Sequence, residues 1–159
     1  MNMVCDVMKE IYIDNINDYI LVDDEDYENI MQYKWHINKN YRSTRALGFV
    51  KGKKVTLPHF ITGVNHAYQK VKNLDFRRNN IGIDKHKYRY RKPQSNASSQ
   101  YKGVRRMKMN SGNYTWISTI YVNGKSVHLG TFDTEIEAGL AYNHAVIEYW
   151  DGNGYMNDI

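Results

Sequence analysis

Ser126-Val127-His128-Leu129-Gly130-Thr131-Phe132 is the stretch on which the fold reading turns. Just upstream stands Asn123-Gly124, the pair that most readily takes the two positive φ values of a type I′ hairpin turn. Before it runs Tyr114-Thr115-Trp116-Ile117-Ser118-Thr119-Ile120-Tyr121, whose alternate side chains point to opposite faces of a strand. Earlier still comes Tyr101-Lys102-Gly103-Val104-Arg105-Arg106. Three short strands in a meander are the economical reading. After them Thr134 and Glu137 make an S/T-x-x-E capping box. Ala138, Ala141, Tyr142, Ala145 and Tyr149 then recur at the spacing of one helix face. Residues 101–159 therefore predict a three-stranded antiparallel sheet packed on one helix, with alanines letting the helix lie close.

These blocks, in this order, resemble the plant ethylene-response-factor (Apetala-two) DNA-binding domain, and the resemblance spans Tyr101 to Asn157. It implies that the sheet, not the helix, enters the major groove of duplex DNA, as β-ribbon readers do. Carried over position by position, it places groove-facing side chains at Lys102, Arg105, Met107, Met109, Thr115, Thr119, Tyr121, Ser126, His128, Thr131 and Tyr142. Arg106 and Lys108 are further basic residues of the same first strand and are expected to contact DNA with it. Met107, Thr119, Tyr121 and Ser126 stand where plant members carry charge, and Met109 and His128 replace tryptophans. The plant recognition sequence is therefore not expected. Trp116 matches a buried aromatic and is expected in the core.

A chain of 159 residues is one ordinary domain or two small ones. The single cysteine, Cys5, excludes a disulfide framework. No apolar run reaches the roughly 18 residues of a membrane span, and no basic region precedes an apolar core, so the expected compartment is cytoplasmic, without membrane attachment. The net charge of +5 is unevenly spread. Residues 1–33 carry nine acids and one lysine, a net of −8, whereas residues 34–92 carry sixteen Lys or Arg against two acids, a net of +14. Residues 93–159 come to −1. A block as basic as the middle one reads as a surface for a polyanion, here double-stranded DNA, with a solvated charged face as the alternative.

Along the chain, Ile11 to Val22 reads as a strand pair around Asn15-Ile16-Asn17-Asp18, with Tyr12, Ile20 and Val22 in the core. Asp23 to Tyr33 reads as a short helix with acids in its first turn, where the helix dipole favours them, and with Ile30 and Tyr33 turned inward. Residues 34–38 and 41–46 read as strands across Asn38-Lys39-Asn40, and Lys51-Gly52-Lys53 as a hairpin tip. Tyr88-Arg89-Tyr90-Arg91-Lys92-Pro93 is basic and aromatic, and residues 93–100 read as a small, polar linker between the two halves. Arg89 and Arg91 suit phosphate contacts as the chain crosses between grooves.

Ile20 to Tyr27 and Tyr33-Lys34-Trp35-His36 resemble the front of phage-type His-Asn-His endonucleases, which often carry the same C-terminal module. That resemblance implies a small β-rich, ββα-metal-like domain over residues 1–92, making the chain α+β. It further implies one Mg²⁺ or Mn²⁺ held against the scissile phosphate and a histidine acting as general base on water. His66 matches the base, Asn65 the metal-binding aspartate before it, Asn80 the retained metal ligand, and His59 lies one residue from the early histidine, whose place Pro58 takes. Asn73 to Asn80 keeps the Leu-Asp-x-Arg-Arg-x-Asn frame, with Phe76 for an asparagine, and Arg77 and Arg78 are expected on phosphates. A neutral carboxamide at position 65 binds a hard dication far more weakly than a carboxylate. The expectation is a degenerate nuclease of phage or mobile-element origin that binds duplex DNA without a cofactor, as a regulator or anti-defence factor. The alternatives are an active nicking or homing endonuclease, and an inhibitor that grips a nucleoprotein such as a host defence nuclease.

Overall fold

The computed structural model describes residues 7–40 and 43–159. Cys5, and the start of the expected strand at Tyr41 and Arg42, lie outside the described residues. The protein is α+β, built from small antiparallel sheets and short helices. The chain divides between Lys87 and Tyr88 into two units, five residues before the proline at which the composition changes.

In the first unit, β1 (Met8–Ile13) and β2 (Asp18–Asp23) form an antiparallel pair. A 3-10 turn joins them and ends on Asn17 at φ 49, a left-handed position that asparagine tolerates. Ile20 and Val22 are fully buried as expected, but Tyr12 is 46 % exposed. It alternates outward from Ile11 and Ile13, stacks edge-on against Tyr19, and hydrogen-bonds Asn17 on the surface. Helix α1 (Asp24–Met31) follows and buries Ile30. Then β3 (Trp35–Asn40), β4 (Ser43–Val50) and β5 (Lys53–Thr56) make a second antiparallel sheet in the order β3-β4-β5. Trp35 lies on its core face, donates its indole N–H to Ile30 O at 2.8 Å and faces Gly48 across the pair. A Cβ at Gly48 would come within 2.9 Å of that indole, so glycine is what lets the ring pack flat beneath the strand. Helix α2 (Leu57–Thr62) starts at Thr56, whose hydroxyl accepts from His59 N, and ends at Gly63 in the left-handed region. A short hairpin, β6 (Tyr68–Gln69) with β7 (Ile81–Gly82), closes the unit. Phe76 is its largest fully buried side chain, held in place by Phe76 N–H to Leu21 O at 2.8 Å.

The second unit is the meander: β8 (Val104–Lys108), β9 (Tyr114–Val122) and β10 (Lys125–Phe132), antiparallel with β9 central. Asn123 and Gly124 take φ 50 and 80, as a type I′ turn requires. Helix α3 (Glu135–Trp150) carries the reciprocal Thr134–Glu137 capping box and packs on one sheet face. Its buried stripe is Ala138, Tyr142, Ala145, Val146 and Trp150. Tyr149, expected inside, points out, because the true stripe follows positions 142, 146 and 150. Trp116 is half-buried and lies, by register, on the helix side of the sheet.

Candidate nucleic-acid interface

Antiparallel partners project from the same face, so the register sorts the sheet residues directly. Arg105 pairs with Ile117 and Ile117 with Thr131; Met107 pairs with Thr115, Thr119 with His128, and Tyr121 with Ser126. All of these share the face turned away from α3. On the helix side sit Ser118 and Ile120, with Val104 and Val127 opposite them. The register shifts by one residue between His128 and Gly130, so Leu129 is the bulged residue and packs toward the helix while Thr131 returns to the open face. Arg105, Met107, Tyr121, Ser126, His128 and Thr131 are exposed and Thr119 is half-exposed. The open face thus carries a row of mostly polar exposed side chains with one guanidinium at its edge, while Ile117 and Thr115 on the same face are buried.

Four residues expected on this surface are elsewhere. Arg106 and Lys108 alternate with Arg105 and Met107 and so fall on the opposite face, where the Arg106 guanidinium stacks over Tyr114 at 4.3 Å from the ring centre. Tyr142 is buried against the sheet, and burial raises its phenol well above its usual range. Lys102 turns inward: its ammonium donates to Arg89 O at 2.8 Å and Tyr88 O at 3.1 Å. Burial, with Arg91 nearby, lowers its pKa to about 8. Thr115 is on the correct face but buried, its hydroxyl donating to Phe132 O at 2.9 Å.

The segment before the sheet is also committed. Arg89 stacks on Trp150 at 4.9 Å, Tyr88 meets the same ring edge-on, and Tyr155 N–H donates to Arg89 O. Ser99 is buried and donates to Glu135 at 2.7 Å, and Ser98 accepts from Arg106 N–H. Arg91 is exposed.

In the first unit, Asn65 and His66 are the central residues of a turn closed by Ala67 N–H to Val64 O. Both are exposed, and His66 Nε2 lies 2.7 Å from Ile83 O. Asn80 is different. It is buried, its carboxamide oxygen accepts from Val71 N–H, and its NH₂ donates to Val71 O and Asp75 O. Both ends of that amide are spent on holding the 71–75 loop, which leaves a poor ligand for a metal. His59 sits in the first turn of α2, half-buried.

Arg77 and Arg78 are engaged by acids rather than presented to solvent phosphate. Arg77 forks onto Asp75 at 2.9 and 2.7 Å, which holds that carboxyl below its usual range. Arg78 forks onto Asp26 at 2.9 and 2.8 Å, adds Glu25 at 3.2 Å, and donates its backbone N–H to Asp23. Asp23, Glu25 and Asp26, close enough together to suggest a cation site, thus enclose a guanidinium of their own chain. These acids lie more than fifty positions from Arg78 in sequence, so no local pattern points to the pairing. Lys72 keeps company with Lys87 and Arg45; burial first, then those two charges, lowers its pKa to about 8. No family model, curated protein or solved structure matches this chain. Among the described residues no helix is long and apolar enough to cross a membrane.

Proposed function

We propose that the protein binds duplex DNA by laying the open face of the β8–β10 sheet into the major groove, as a regulator or anti-defence factor of phage or mobile-element origin acting in the host cytoplasm. The observation that carries this reading is the register-matched row Arg105, Thr119, Tyr121, Ser126, His128 and Thr131 on the one face that α3 leaves bare. An arginine, a histidine and four hydroxyls at the spacing of one sheet face offer donors and acceptors to base edges. The basic residues 34–92 add sequence-independent attraction. The likeness of residues 101–157 to the Apetala-two domain, and of residues 1–92 to His-Asn-His nucleases, supports the same assignment. The residues at 65, 66 and 80 fit a metal poorly, since one amide is neutral and exposed and the other is tied to backbone. This half binds without cutting.

Selection from random duplexes, followed by binding measured across a salt series, tests the reading. Affinity falls with a log–log slope of about −0.9 for each phosphate neutralised; a constant that stays flat with salt overturns it. Supercoiled plasmid incubated with Mg²⁺ or Mn²⁺ stays intact. Cleavage by the unmodified protein that disappears in His66→Ala would establish an enzyme instead.

A further inference from the structure

The outward face of the β3–β5 sheet carries a side chain that neither the core nor the proposed groove contact uses. Phe49 is 68 % exposed, more than any other large apolar residue of the described chain. It stands on the central strand, and register puts it on one face with His36, Asn38, Arg45, Leu47 and Lys54. Together with Lys34 and the Asp14-Asn15 turn, several of these line a concavity of about 770 Å³. Among the described residues neither Arg45 nor Lys54 has an acidic partner, while Lys34 reaches Asp14 only at 3.9 Å. The platform is held from behind by Trp35 against Gly48 and by Asn15, whose amide spans both backbone groups of Ile37.

We infer that this face binds a single-stranded nucleic acid, one unpaired base stacking on Phe49 while Arg45 and Lys54 take the flanking phosphates and His36 and Asn38 meet polar edges. A ring left bare amid cations matches the π-face and charge of an unpaired strand. A paired duplex offers its backbone there and leaves the ring in water. Lys72 and Lys87 add positive charge near Arg45. The Phe49 ring takes no part in the proposed groove contact, so base stacking here and duplex reading by the β8–β10 sheet can fail separately.

The test uses the full chain with fluorescein-labelled oligo-dT and oligo-U, read by anisotropy, beside a duplex probe. Wild-type protein binds the single strands, and Phe49→Ala weakens that binding by at least about fivefold, with an unchanged unfolding midpoint because Phe49 lies outside the core. Phe49→Trp keeps the binding, and its added exposed indole is quenched as the strand is titrated in. Arg45→Glu with Lys54→Glu abolishes it. Equal affinity in Phe49→Ala, no quenching in Phe49→Trp, or a parallel loss of duplex binding in Phe49→Ala overturns the inference. Preference between oligo-dT and oligo-U tells DNA from RNA.

Discussion

Arg105 and Arg106 are neighbours in sequence and opposites in space. Strand alternation gives Arg105 to the open face and Arg106 to Tyr114, so Arg105→Ala should relax sequence preference at a cost of roughly 1–3 kcal/mol if the contact to a base is bidentate. Arg106→Ala should leave the selected sequence unchanged; identical selection profiles for the two variants would contradict the register. Both outcomes follow from period-two logic that the sequence already held, once the strand was placed. Arg78 was not legible in that way. A basic residue in a basic block reads as a phosphate contact, and only the fold brings Asp26 to it. Asp26 is 6 % exposed, so Arg78→Ala would strand a buried carboxylate and cost on the order of 2 kcal/mol, less than a fully buried pair because Arg78 is itself half-exposed. Urea unfolding measures it. Lysine should not restore the loss, since it lacks the planar fork.

Among the elements, the hairpin β9–β10 and the start of α3 were readable because their signals are local: Asn123-Gly124 sets the turn, and Thr134 with Glu137 sets the cap. The helix stripe was misjudged at Tyr149 because alanine and tyrosine at several offsets fit two overlapping faces, and only packing against Ile120 selects the one through Val146 and Trp150. The loop held by Asn80 was illegible for another reason, since a buried amide and a metal-binding amide are the same residue type. Gly103 shows how closely sheet and helix are fitted. It takes φ +79, and a Cβ there would be driven into the Tyr142 ring and to 2.6 Å from Thr119 O. Gly103→Ala should therefore destabilise this unit by at least about 2 kcal/mol, through strain and overpacking together. A shift of less than half that in the unfolding free energy would show that the ring yields freely.

At the scale of the whole molecule, charge and pH act through the same lysines. Lys102 and Lys72 have folded pKa values near 8 against the ordinary 10.5. Below about pH 8 both states carry the proton and the cost of burying it is fully felt. Between there and the ordinary value the unfolded chain binds more protons, so stability should rise with pH. Urea midpoints at pH 7.5 and 9.5 would show the increase, and Lys102→Met should flatten part of it; a fall over that interval would contradict the sign. The partition of charge into acidic, basic and neutral thirds was visible in composition, but which cations are paired with acids of their own chain was not. The packing of Tyr88 and Arg89 on Trp150 bears on how the polypeptide can be dissected. A fragment begun at Pro93, where the composition changes, would uncover an indole and remove the two carbonyls that receive the Lys102 ammonium. One begun at Tyr88 keeps both, so expression of this unit alone depends on five residues that look like tether.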